Sequence, residues 1–360
     1  MSTVARPGPG PAPTSGSRPA ATSPRFGNTR RRFTLLVAVS LAVLIMASIA
    51  GLAIGSSAIP ISDVVQALTH YDPTTTNHVI VMASRLPRTV LGIVVGIALG
   101  LAGGLMQAVT RNPLADPGLL GINAGAALAV VIAISSFGVA TVRGYLVFAF
   151  VGAAIAAVAV YLLGKAHRSQ ATPVRMALAG AAIAIVIGAF TRSILLSDQQ
   201  AFNQFRYWAV GSLQGRGFDV ILTVTPFIVI GVLLSLLLAR SLNAVALGEE
   251  ASRSLGVNPA LTRGGSALAV VLLAGAATAA AGPIAFVGLA APHIVRAIVG
   301  PDQRLLIPAT IVVAPAFLVA ADVIGRWAIA PGELQTGIAA AILGGPLFVM
   351  LVRSRRMASL

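Results

Sequence analysis

Apolar residues run along this chain in long blocks, separated by short segments in which Arg, Asp, Gly and Pro collect. There is no strict alternation to suggest strands. The blocks are near the ~20 residues that an α-helix needs to cross ~30 Å of hydrocarbon. Counted this way, crossings fall near 33–55, 88–108, 118–138, 144–164, 174–197, 219–239, 264–281, 284–299, 304–328 and 334–352, about ten in all. The stretch from Ala276 to Gly288 is so rich in Ala, Gly and Pro that it reads equally as a clean hairpin or as a broken helix buried in protein.

The second block carries Gly92, Gly96, Gly100 and Gly104 at a spacing of four, which puts them on one helical stripe. Missing side chains on a stripe let another backbone approach closely, so this helix is expected to pack against protein rather than lipid. It ends at Arg111-Asn-Pro and again at Asp116-Pro-Gly, where Pro113 and Pro117 remove donors and disfavour helix before them. Two other stretches do not cross. Ile59 to Tyr71 is amphipathic and fits a helix lying at the outer interface, and Gln199 to Gly217 mixes Phe202, Phe205, Tyr207 and Trp208 with arginines, as an aromatic anchor does.

Composition supports this picture: 57% of residues are hydrophobic, 10% are charged, and mean hydropathy is +0.91. A soluble domain would carry about a quarter charged residues. The net charge of +15 would suggest nucleic acid in a soluble protein, but the basic residues flank apolar runs, so no nucleic acid is expected. With the N-terminus inside, 18 of the 25 basic side chains lie on the inner side, from Arg6 in the tail to Arg356. Arg85, Arg88, Arg143, Arg192, Arg206, Arg216 and Arg326 lie outside, and both termini are cytoplasmic. Residues 1–32 lack large apolar residues and read as a disordered cytoplasmic tail before a membrane domain over 33–356. Cysteine is absent and the four His are scattered, so no metal site is expected.

No G-x-x-x-x-G-K-[ST] phosphate cradle occurs, so an energised transporter built on this chain needs a separate ATPase. Several blocks resemble one known family: Arg85-Leu-Pro-Arg-Thr89, Tyr207-Trp-Ala-Val-Gly-Ser-Leu213, Ala246 to Val257, Ala281 to Leu289, Ala291-Pro-His293 and Gly300-Pro-Asp302. In that order and spacing, over roughly 33–353, the chain resembles the FecCD-type permease subunit of bacterial ABC importers for iron-siderophores, haem and cobalamin. The resemblance implies an all-α polytopic bundle, the type II importer (vitamin B12-type) fold, in the bacterial cytoplasmic membrane. It implies a second permease subunit, identical or paralogous, with two cytoplasmic ATPases and an extracytoplasmic substrate-binding protein. Surrounding lipid completes the list of partners. The chain itself holds no cofactor, since ATP and Mg belong to the partner ATPase. The implied cargo is an iron-siderophore, with cobalamin and haem as alternatives and a proton-coupled carrier as a rival outside the family.

The same resemblance suggests site residues. Leu247, Gly248, Glu249, Glu250, Arg253, Leu255 and Gly256 correspond to the element that couples to the ATPase, whereas by composition alone they form an ordinary solvated loop helix. Arg85, Arg88 and Arg326 correspond to basic pockets that receive acidic side chains of the binding protein, against the plain reading of arginines snorkelling from helix ends. Asp322, four residues before Arg326, could neutralise part of that charge. Asn112 and Leu114 are gate candidates at the inner mouth, or simply part of a connecting loop.

Overall fold

The computed structural model describes residues 26–139, 141–165 and 173–353, and every regular element among them is helical. Ten helices correspond to the ten apolar blocks: α1 (Phe26–Ala53), α4 (Leu86–Thr110), α5 (Ile122–Phe137), α6 (Val142–Lys165), α7 (Pro173–Ser197), α9 (Phe218–Ala246), α11 (Pro259–Ala281), α12 (Val287–Val299), α13 (Gln303–Ala328) and α14 (Thr336–Arg353). Seven are long and apolar enough to cross a membrane, while α5, α12 and α14 are shorter. Four small helices connect them: α2 (Ile61–Thr69), α3 (Thr76–Ile80), α8 (Gln199–Ala209) and α10 (Glu249–Ser254). A π turn over Val81–Arg85 joins α3 to α4, so that Thr76–Thr110 is one continuous rod.

Local chemistry sets the helix ends. Asp198, Asn258 and Asp302 each turn a side-chain oxygen onto the first free N–H groups of α8, α11 and α13. Arg111 ends α4 in the left-handed region at φ 51°. The first helix begins at Phe26, so Arg30, Arg31 and Arg32 belong to it and not to a tail; residues 1–25 lie outside the described residues.

The Ala276–Gly288 stretch resolves into two helices joined by an irregular turn in which Gly282 and Ile284 are buried and Ala285 is exposed. Gly282 (φ 75°) and Phe286 (φ 68°) carry the chain across it, and the carbonyl of Ala281 accepts the N–H of Ser212 at 2.7 Å. Non-helical backbone is tolerated at such depth because protein surrounds it. As a result α12 has 13 residues, about 20 Å of helix, and does not span the hydrocarbon alone.

Helix α4 sits at the centre. Its most apolar window is 78% buried, against 11% for α7 at the rim. The glycine stripe makes this possible along α13: a Cβ on Gly96 would lie 2.6 Å from Pro315 Cα, and one on Gly100 would lie 2.3 Å from Ala314 Cβ. Gly92 meets Leu213 and Val319 at 3.2 Å, and Gly104 meets only ordinary contacts at 3.6 Å. The tightest approach on α4 lies outside the spacing of four, where a Cβ on Gly103 would lie 1.9 Å from the carbonyl oxygen of Gly288 on α12. A second close crossing joins α5 to α6 through Gly125 and Gly152.

Gly103→Ala is therefore expected to force α4 and α12 apart, costing about 1–3 kcal/mol or more. Gly264→Ala, with nothing within 4 Å of the new methyl, should be neutral or slightly stabilising. Thermal unfolding of the two purified variants in detergent checks the contrast.

Candidate coupling and gating sites

The two ends of the bundle carry different chemistry. At one end α1 and α13 finish while α4 and α14 begin, and there the three singled-out arginines converge. Arg88 grips Asp322 with Nε and Nη2, at 3.0 and 2.9 Å, and gives Nη1 to Glu333. Arg326 reaches Asp322 at 3.1 Å and the carbonyls of Gly51 and Ile54 at 2.9 and 2.8 Å. Thr336 donates its hydroxyl to Asp322 at 2.6 Å. Arg85 donates to the carbonyls of Leu52, Ala53 and Ser57, satisfying the frayed end of α1.

Arg85 and Arg88 are 5% exposed and Arg326 is 2% exposed. Such burial does not fit guanidiniums snorkelling from helix ends. Asp322, Glu333 and the carbonyls of Gly51, Leu52, Ala53, Ile54 and Ser57 hold most of their N–H groups inside the bundle, while Arg326 Nε has no hydrogen-bond partner among the described residues. The local i,i+4 pair of Asp322 with Arg326 does form. Glu333 and the α1 carbonyls were missed; nothing in the sequence spacing links residues 245 positions apart.

At the opposite end α10 follows α9. Gly248 (φ 113°) and Gly256 (φ 76°) bracket it, and a Cβ on either would meet nothing within 4 Å, so backbone conformation and not crowding requires glycine there. Glu249 bonds to Arg263 of α11 at 2.9 Å and lies 3.8 Å from Arg253, which ties the short helix to the bundle. Leu247 (68%) and Leu255 (62%) are exposed, as are Glu250 and Arg253. The stretch thus presents two leucines and two charges outward from a braced turn.

The loop after α4 lies at the same end. Asn112 Oδ1 accepts the N–H of Leu114 at 2.9 Å, and both side chains are exposed. Asp116 caps the 3₁₀ turn Pro117–Leu120 by accepting the Gly118 N–H at 2.7 Å. Burial pushes its carboxyl above the ordinary carboxylate range, against the lowering effect of that bond. Arg111 donates to the carbonyl of Val245 in the last turn of α9, so the gate candidates and α10 share a support. A cavity of about 250 Å³ lies between them, walled by Thr110, Leu119 and Leu120 on one side and Glu249, Arg253 and Arg263 on the other. Among the described residues no group of His, Asp or Glu is arranged to hold a metal.

The structure is that of a multi-pass helical bundle with seven helices long and apolar enough to cross a membrane, an ion-locked end and a braced, outward-facing turn at the other. The chain belongs to the FecCD transport family, whose profile matches residues 41–354. It is 42% identical to the ferric enterobactin transport system permease protein FepD of Escherichia coli over 315 residues, covering 88% of this chain and 94% of that one. It is 37% identical to the Fe(3+)-citrate import system permease protein YfmD of Bacillus subtilis, over 89% of this chain and 95% of that one. The cobalamin import system permease protein BtuC of Halobacterium salinarum is also 37% identical, over 79% and 76%. In fold, the chain is similar to a solved metal-chelate type ABC transporter in an inward-facing conformation, with TM-score 0.77, 24% identity, and 89% and 99% coverage.

Removing Asp322 would leave two buried guanidiniums short of their shared carboxylate. Asp322→Asn should cost about 3–5 kcal/mol of stability, while replacing the group by matched apolar residues (Asp322→Leu with Arg88→Met and Arg326→Met) should cost less than the single change. Detergent-resistant thermal unfolding of both variants measures this ordering.

Proposed function

We propose that this chain is the membrane-spanning permease subunit of an ATP-driven importer that carries a ferric siderophore across the cytoplasmic membrane. The observation that carries the reading is the similarity, over 88% and 89% of this chain, to permeases named for ferric enterobactin and ferric citrate. Relatives named for cobalamin and hemin make those cargoes the alternatives. A proton-coupled carrier is disfavoured because the spans carry few acidic groups, and Asp322 is tied to two arginines.

In this reading the positive-inside bias puts the α10 end and both termini in the cytoplasm. Leu247, Glu250, Arg253 and Leu255 then face a cytoplasmic ATPase, with Glu249 holding the turn in place through Arg263. ATP is hydrolysed by that partner and not by this chain. Displacement of α10 passes through α9 and Arg111 to the loop bearing Asn112 and Leu114, which narrows the inner mouth. Two permease subunits, alike or paralogous, enclose the path, and the sparsely buried α7 leaves a face for lipid or for the second copy. A substrate-binding protein docks at the arginine end. There an acidic side chain reaches Arg88 only by displacing Glu333, the more exposed of its two carboxylates.

Reconstituted with its ATPase and binding protein, the chain should take up ⁵⁵Fe-enterobactin or a related ferric chelate only with ATP. Glu250→Arg with Leu255→Asp should lower uptake by about tenfold or more without unfolding the bundle. Uptake driven by a proton gradient without the ATPase would overturn the reading, and preference for cobalamin or haem would move the cargo within the family.

A further inference from the structure

Five arginines are buried in the described chain: Arg85, Arg88, Arg216, Arg296 and Arg326. Four have partners, Arg216 through the hydroxyl of Tyr145. Arg296 is 5% exposed, and none of its three guanidinium nitrogens has a hydrogen-bond partner among the described residues. His293, one turn before it on the same face of α12, also has an unpartnered Nδ1. A buried cation without acceptor or counter-charge is strongly disfavoured, so this arrangement calls for an occupant.

The acid nearest along the chain, Asp302, is already engaged. It accepts from Asn243 and from the N–H of Arg304, and pairs with the Arg304 side chain. Water could fill the guanidinium's hydrogen bonds but leaves its charge, whereas an oxyanion answers both with the planar fork that Arg presents. A Cβ on Gly104 would meet Pro292 of α12 and Leu306 of α13 only at ordinary contact, 3.6 Å, where one on Gly100 would lie 2.3 Å from Ala314 Cβ, and Arg296 lies one turn further on from Pro292. The start of α1, which packs against α12, adds exposed Arg30, Arg31 and Arg32 at the same end.

We propose that Arg296, with His293 beside it, is an oxyanion site that takes a phosphate group at the α10 end of the bundle. The phosphate comes from solution or from the headgroup of a phosphate-monoester lipid.

The test uses the purified full-length protein in neutral detergent at constant ionic strength, with unfolding temperature as the readout. Inorganic phosphate is titrated against chloride, and phosphatidic acid against diacylglycerol in mixed micelles. A saturable rise of about 2–4 °C is expected for the wild type and not for Arg296→Gln. A response to both probes identifies free phosphate as sufficient, and a response to phosphatidic acid alone identifies the lipid. Should Arg296→Gln fail to fold, Arg296→Lys keeps the charge but loses the fork, and its response must be weaker than the wild type's. No response in the wild type, as bridging water alone would give, or an equal response in the variant, overturns the site.

Discussion

Everything in this bundle depends on how closely α4 can approach its neighbours. In a membrane there is little hydrophobic drive between helices, so close packing and internal polar bonds must hold them together. The bare backbone at Gly96 and Gly100 lets α13 lie against α4, and at Gly103 it lets α12 do the same. A helix so enclosed becomes the fixed axis against which both ends of the molecule are built.

At one end that axis is locked by charge. Asp322 collects Arg88, Arg326 and Thr336 from three helices, and Arg326 and Arg85 continue the lock onto the free carbonyls of α1. Such a network holds α1, α4, α13 and α14 in one register, since a partly satisfied version would leave buried charge. At the other end the axis is left open to adjustment. Arg111 leaves α4 in a left-handed turn and holds the end of α9, from which the braced α10 projects two exposed leucines. A stiff rod pinned at one end and linked to a surface helix at the other suits a protein that must transmit movement.

Sequence patterning determined the ten apolar helices, because their length is set locally by the thickness of hydrocarbon, and the amphipathic α2, because its polar and apolar positions follow the helical period. It marked Gly248 and Gly256 as the brackets of α10, since a glycine at a helix boundary is a local signal. The glycines of the α4 stripe were visible for the same reason of spacing. Gly103 falls outside the spacing of four, and its partner Gly288 lies across the fold, so its close contact could not be read from spacing.

What only tertiary structure decided was pairing. The sequence left Arg85, Arg88 and Arg326 as basic groups at helix ends, with no way to know that Glu333 and the end of α1 would close over them. It could not link Arg111 to Val245, or show that Arg296 ends up buried with no hydrogen-bond partner among the described residues. A run of apolar residues carries its own length and periodicity, but the partner of a charge is set by which helices are neighbours, and that is a property of the packed bundle alone.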